Sequence, residues 1–112
     1  MKAEMGISKK IKNVTDRIRD YLENSYGERV KKIMLYGSHA RNKANAHSDV
    51  DILVVVDDSL DPSMVRRGLG DLILDILLEE GELVSAVVVR ESFFEESSFP
   101  FMLNVKEEGM AV

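Results

Sequence analysis

Apolar residues near the start of the chain recur every three or four positions, which is the period of one face of an α-helix. They are Ile7, Ile11, Val14, Ile18 and Leu22, and lysines and arginines lie between them. Ser8 is suited to cap the first turn of this helix, and Gly27 is suited to end it. The pattern therefore predicts an amphipathic helix between these two residues.

Three shorter apolar runs predict β-strands. Residues 32–36, 50–56 and 83–89 are rich in aliphatic and β-branched side chains and are bounded by polar or glycine residues. The second run is apolar throughout except for Asp51, which is typical of a strand that is buried on both faces.

Two helices are predicted around the second strand. A short helix is expected from Ser38 to about Lys43, directly after the first strand. Asp61 and Pro62 form the start signal of a longer helix, and Gly81 is suited to end it. Gly68 and Gly70 lie inside this longer helix, where each glycine costs up to about 1 kcal/mol relative to alanine.

The last part of the chain predicts two further helical segments. Ser92 and Glu95 have the spacing of a capping box before a short helical turn. A final helix is expected over 98–108, with Phe101, Met102 and Val105 facing inward and Gly109 past its end. The order of elements predicts an α+β fold, in which a small mixed β-sheet is covered by helices mainly on one face. At 112 residues, the chain is expected to form one domain over 1–112.

Two pairs of polar residues stand at the ends of predicted strands. Gly37 and Ser38 follow the first strand, and Asp49 and Asp51 open the second. Side chains two positions apart on a strand point to the same face, about 6.6 Å apart along it. Two carboxylates so placed can share a divalent cation, and Mg²⁺ suits carboxylates combined with substrate phosphate oxygens. A carboxylate inside an apolar strand also needs a partner such as a metal or a basic group.

The residues between the two strands fit a phosphate-binding role. Gly37 permits a tight turn and a close approach of backbone to ligand, and the start of a helix at Ser38 would favour a phosphate. Arg41 could hold phosphate oxygens by paired hydrogen bonds, and Ser48 could contact a phosphate or position the loop. Alone, a Gly-Ser turn or an Asp-x-Asp strand end is ordinary. Gly37 and Ser38 together with Asp49 and Asp51 predict a nucleotide site in which the two aspartates are the metal ligands.

Other phosphate and metal motifs do not fit. The second glycine, lysine and hydroxyl residue of a Walker loop are absent, and Ile-Leu-Val follows Asp51 where an EF-hand needs further oxygen ligands. His39 and His47 are expected to be polar loop residues, with His47 the better placed of the two to touch a ligand. The phenylalanines at 93, 94, 99 and 101 are expected in the core or in an interface, not as a base-stacking platform.

Charge and composition narrow the class of protein. The net charge is −5, but residues 1–47 hold eleven Lys and Arg against five Asp and Glu, whereas residues 48–112 hold four against fifteen. The acidic second part makes nucleic-acid binding an unfavourable hypothesis. Cysteine is absent, which excludes disulfides. The N-terminal residues lack a signal-peptide core, and no apolar run approaches the roughly 20 residues of a membrane span, so a soluble cytoplasmic protein is expected.

The motif residues resemble those of the nucleotidyltransferases of the DNA polymerase β superfamily, and more narrowly the minimal (MNT-type) members. The resemblance rests on Gly37-Ser38, Ala40-Arg41, Ser48-Asp49 and Asp51-Ile52-Leu53. It implies a Mg²⁺-dependent attack by a hydroxyl on the α-phosphate of a nucleoside triphosphate such as ATP, with release of pyrophosphate. It also implies a HEPN-type protein partner, for which small members act as antitoxins, and a similarity to enzymes that place AMP on a partner's tyrosine.

The sequence departs from this family at one position. Members usually supply a third carboxylate from the next strand as general base, but the matching residue here is Ser85. Glu82 is three residues earlier and would face the opposite side of a regular strand. Two hypotheses follow: an enzyme that adenylylates a hydroxyl of a partner protein, which we favour, and a nucleotide-binding module that neutralises its partner by complex formation. The acceptor, the base preference and any homo-oligomer are left open.

Overall fold

The computed structural model describes residues 8–40 and 48–112, which form a four-stranded sheet and five helices. The strands are β1 (Val30–Tyr36), β2 (Val50–Val56), β3 (Val84–Arg90) and β4 (Met110–Ala111). The helices are α1 (Lys9–Tyr26), α2 (Pro62–Gly68), α3 (Gly70–Glu80), α4 (Glu91–Glu96) and α5 (Pro100–Glu108), and a 3₁₀ turn (Gly27–Arg29) joins α1 to β1. None of the helices in these two ranges has the length and apolar character needed to cross a bilayer.

The first helix begins and ends where its sequence signals predict. The Ser8 hydroxyl accepts a hydrogen bond from the backbone N–H of Ile11 at 3.2 Å, which satisfies one of the free donors of the first turn. Gly27 follows the last turn with φ of 60°, a conformation that glycine adopts without steric cost. The predicted helix is therefore confirmed over the described residues, and Ile7 lies outside them.

The sheet has the order β3-β2-β1-β4 and mixes both strand orientations. β2 pairs with β1 and β1 with β4 in antiparallel fashion, whereas β2 and β3 are parallel. This arrangement confirms the predicted α+β fold with a small mixed sheet. β4 was not predicted, because a two-residue strand has no hydrophobic periodicity to reveal it.

Apolar side chains fill both sides of the sheet, and the larger core lies under α1, α2 and α3. Even-numbered residues of β2 point into that core together with the buried face of α1. Odd-numbered residues Leu53 and Val55 face α4 and α5, where they pack with Phe94, Met102 and Val105. Six of the seven β2 residues are fully buried, and Asp51 is the exception. The continuous apolar run predicts this burial for a central strand. The helices therefore lie mainly on one face, as expected, and a smaller layer covers the other.

Several local predictions were wrong. The helix expected from Asp61 to Gly81 is interrupted at Leu69, which ends α2 and precedes α3. Ser92 and Glu95 form no capping box, because no side chain caps α4 and the Ser92 N–H instead donates to Asp58 Oδ1 at 3.0 Å.

Two further expectations concern the segment after β1 and the last helix. Residues 37–40 form a turn and not the start of a helix, and the remainder of the helix expected to Lys43 lies outside the described residues. Met102 and Val105 of α5 are buried as predicted, whereas Phe101 is 41% exposed.

Candidate functional site

The predicted site residues lie where the end of β1 meets the start of β2. These strands are antiparallel neighbours, and Tyr36, the last residue of β1, pairs with Asp51. The turn that begins at Gly37 therefore emerges beside the first residues of β2. Although Gly37 and Asp51 are separated by thirteen residues, the sheet brings them into contact.

Gly37 is required at its position for two independent reasons. Its φ of 76° lies in the left-handed region that side chains disfavour. In addition, a Cβ atom on Gly37 would overlap Asp51 Oδ2 and would lie 3.3 Å from Asp51 Cγ. The Asp51 carboxyl group therefore packs directly against the Gly37 backbone, in space that only glycine leaves free.

Three residues form a row across the sheet on the face that α4 and α5 cover. Tyr36 of β1 and Ser85 of β3 are the two register partners of Asp51, and directly paired residues point to the same face. Asp51 and Tyr36 are partly exposed, and Ser85 is exposed. We call these three residues the catalytic-face row, since Asp51 is one of the predicted catalytic residues.

Tyr36 is a site residue that sequence reasoning missed. Its ring meets the Phe101 ring edge to face, with centroids 5.3 Å apart and an interplanar angle of 84°. Burial raises the pKa of the Tyr36 hydroxyl, and the negative charge of Asp51 raises it further. The hydroxyl is therefore a protonated hydrogen-bond donor at neutral pH. A tyrosine at a strand end gives no signal of this role in the sequence.

The other predicted residues that the structure describes lie next to the ends of β1 and β2. Asp49 is exposed just before β2, and Ser38 and Ser48 are partly exposed. Ser38 belongs to the turn that Gly37 opens. Arg41 and His47 lie outside the described residues, so their predicted roles stay predictions.

His39 lies in the turn after β1, as expected of a loop residue, but it is buried there. Its side chain is 8% exposed, and its Nε2 atom lies 3.4 Å from the carbonyl oxygen of Ser48. This contact joins the turn after β1 to the residues that lead into β2. His39 therefore helps to hold the two ends of the intervening segment together.

The structure confirms that Ser85 stands at the β3 position where the family usually has its third carboxylate. Ser85 is the β3 partner of Asp51, so a hydroxyl occupies the place where the resemblance leads us to expect an acid. Glu82 lies before β3, and its carboxylate is 3.6 Å from Lys10 Nζ. Lys10 belongs to α1, on the other side of the sheet from Asp51, so Glu82 faces away from the row as predicted.

Asp49 and Asp51 are the predicted metal ligands, and Asp49 lies directly before β2 while Asp51 is its second residue. Among the described residues there is no cluster of three or more Asp, Glu, His or Cys side chains that could enclose one. Two carboxylates are a donor set that Mg²⁺ accepts, because proteins often bind this ion through one or two carboxylates while water and substrate phosphates complete the octahedron. The Gly37 backbone leaves room for one of these carboxylates, and the adjacent Ser38 hydroxyl and turn amides could contact a phosphate.

Comparison with known proteins agrees with this chemistry. Two relatives come from Methanocaldococcus jannaschii, and each bears the name "Putative protein adenylyltransferase". The first is 38% identical over 89 residues, which cover 79% of this chain and 83% of the relative. The second is 29% identical over 82 residues, which cover 72% of this chain but only 56% of the relative. The family described as "Nucleotidyltransferase domain" matches residues 15–108, a range that contains the Gly37 turn and both carboxylates, and the chain belongs to this family.

Proposed function

We propose that this nucleotidyltransferase moves AMP from Mg²⁺-bound ATP onto a hydroxyl group of a partner protein. The observation that carries the proposal is the contact between the Gly37 turn and Asp51, because it brings the turn proposed to bind phosphate next to the carboxylate proposed to bind the metal. The family match supports the nucleotidyl transfer. The names of the two relatives support adenylyl as the group and a protein as the acceptor.

Each site residue has a definite task in this reaction. The backbone of Gly37 and the hydroxyl of Ser38 hold phosphate oxygens, and Arg41 and Ser48 are proposed to assist them. Asp49 and Asp51 would hold Mg²⁺, which when bound polarises the α-phosphate and offsets the charge that develops on it. The acceptor oxygen forms a bond to the α-phosphorus while the bond to the β-phosphate oxygen breaks, and pyrophosphate leaves.

The acceptor proton has no carboxylate to receive it at the β3 position. Ser85 occupies that position, and a serine hydroxyl is a poor base at neutral pH. Phosphoryl transfer depends mainly on positioning and electrostatic stabilisation, and a general base commonly adds about 10²- to 10⁴-fold. The proposed reaction is therefore slow, and the proton passes to water or to a group of the acceptor.

This same observation favours a second candidate function. A chain with Ser85 in place of a base could bind nucleotide and neutralise a partner by forming a complex, without transfer. In both cases the partner that the family resemblance suggests is a HEPN-type protein, with this chain as the antitoxin of the pair. Co-expression with such a partner separates the two functions: a complex-forming Asp49→Asn/Asp51→Asn variant still neutralises a partner if binding suffices, and fails if transfer is required.

The decisive experiment measures ATP binding with and without Mg²⁺ by calorimetry, together with transfer of radiolabelled AMP. Asp51→Asn keeps the size of the side chain and removes its charge, and we expect it to abolish Mg²⁺-dependent binding and transfer while the fold persists. Asp71→Asn is the matched control, because Asp71 is an exposed acid on α3. Wild-type transfer by Asp51→Asn would refute the metal assignment.

A further inference from the structure

Most of the chain's phenylalanines lie exposed on α4, α5 and the turn between them. Phe93 is 42% exposed, Phe99 62% and Phe101 41%, and Leu103 on α5 is 49% exposed. The rings of Phe93 and Phe99 are in contact, with centroids 5.9 Å apart. We call these four residues the aromatic face. Because aromatic side chains normally fill cores, such a concentration at the surface marks a contact site.

The aromatic face adjoins the candidate active site. Phe101 packs on Tyr36, and Tyr36 pairs with Asp51. All of these side chains lie on the side of the sheet that α4 and α5 cover. A protein bound to the aromatic face would therefore present its neighbouring residues to the catalytic-face row.

The aromatic face also contains a groove that could receive side chains of a partner. The groove has a volume of about 460 Å³ and lies between Phe93 and Phe99, with Ser92, Glu96 and Ser97 completing its lining. This volume falls within the range of cavities that bind small molecules, so it has room for a bulky apolar side chain. Glu96 gives the wall of the groove a negative charge.

Charge around the aromatic face indicates the chemistry of the partner. Residues 91–112 contain five glutamates and one basic residue, Lys106. The Lys106 ammonium is already engaged: it donates to the Glu95 carbonyl oxygen at 3.2 Å and lies 5.1 Å from the centre of the Phe94 ring. A basic segment would find complementary charge here, whereas a second copy of this chain would bring like charges together.

We propose that the aromatic face docks the acceptor protein through a segment that is both apolar and basic and that lies close to the acceptor hydroxyl. The inference rests on the proposed function, because it assigns the acceptor of that reaction a surface and a chemistry. The transfer requires the acceptor hydroxyl to be held beside Asp51, and a docking surface next to that residue would hold it there. The face that continues from Asp51 through Tyr36 and Phe101 meets this requirement.

A labelled peptide tests the docking surface independently of the reaction. The probe is a short peptide in which Leu and Phe alternate with Lys around one tyrosine, and its counterpart carries Glu in place of each Lys. Fluorescence anisotropy gives its affinity for the wild type and for Phe99→Ser/Leu103→Ser. The matched control is Leu74→Ser/Leu78→Ser, since these leucines of α3 are 52% and 74% exposed and lie on another element. Glu95→Lys/Glu96→Lys tests the charge without removing apolar surface.

We expect the basic peptide to bind the wild type and the α3 control equally, and to bind the other two variants about tenfold more weakly. The Glu peptide should bind neither the wild type nor the α3 control. Equal loss in the α3 control, or unchanged affinity in Phe99→Ser/Leu103→Ser, would overturn the proposal. The proposal would also be overturned if the wild type sedimented as a dimer and Phe99→Ser/Leu103→Ser sedimented as a monomer. The aromatic face would then bind a second copy of this chain.

The failure of the proposed function would look different. If the wild type bound no Mg²⁺-ATP and transferred no AMP, but held the basic peptide at the aromatic face, the docking surface would stand and the chemistry would not. Normal nucleotide binding in every variant, with loss of peptide binding confined to the aromatic-face and glutamate variants, would establish that docking and nucleotide binding use separate residues.

Discussion

Replacing Gly37 with alanine tests the contact on which the site depends. The left-handed backbone at φ of 76° costs a residue with a side chain about 1–2 kcal/mol. The new methyl group would also overlap Asp51 Oδ2 and lie 3.3 Å from Asp51 Cγ, which is closer than an ordinary contact. The Asp51 carboxylate must therefore turn or shift away from the added methyl group, which displaces it from its position beside the Gly37 turn.

Gly81→Ala is a close control for the free-energy cost of placing a side chain on a left-handed backbone. Gly81 ends α3 with φ of 73°, nearly the same value, and an added Cβ there would meet nothing within 4 Å. Both variants should therefore lose about 1–2 kcal/mol of unfolding free energy from backbone strain, or roughly 3–6 °C in melting temperature per kcal/mol for a domain of this size. Any additional loss in Gly37→Ala measures the displacement of Asp51.

The two variants should differ in their affinity for Mg²⁺-ATP. We expect Gly37→Ala to bind Mg²⁺-ATP at least about tenfold more weakly by calorimetry, which is about 1.4 kcal/mol, because the displaced carboxylate no longer meets the metal. Gly81→Ala should bind with wild-type affinity. Wild-type affinity in a folded Gly37→Ala protein would refute the reasoning, and so would an equal loss in both variants.

Other perturbations have equally definite outcomes. Since the pKa of Tyr36 is raised by burial and by Asp51, its contribution to stability is complete below about pH 10 and is lost as the pH rises through the folded-state pKa. The unfolding free energy of Tyr36→Phe should therefore fall less steeply with rising alkaline pH than that of the wild type. An equal slope for the two proteins would contradict this. Glu82→Gln should leave transfer within twofold, because Glu82 pairs with Lys10, and abolished transfer would show that the acid acts in the site. Leu22→Ala removes a fully buried side chain and should cost roughly 2–5 kcal/mol by urea denaturation; a cost below about 1 kcal/mol would contradict the described packing.

The sequence by itself determined the elements whose signals are local. Ser8 and Gly27 bound α1 as predicted, and Asp61 with Pro62 starts α2. The apolar run around Asp51 became the central strand. These features depend on residues within a few positions of one another, so hydrogen-bond capping and side-chain periodicity reveal them in the sequence. The motif residues also sufficed to identify the family, because their types and spacing reflect one kind of chemistry.

Tertiary structure alone decided which of these residues touch. The packing of Asp51 against Gly37, the edge-to-face contact of Phe101 with Tyr36 and the burial of His39 each join segments whose distance in sequence carries no signal. The packing contact at Gly68 is also tertiary: its carbonyl oxygen accepts a hydrogen bond from the Tyr21 hydroxyl of α1 at 2.9 Å, next to the point where α2 ends. Strand register and helix packing are set by the burial of apolar area over the whole sheet, and no short stretch of sequence contains that information.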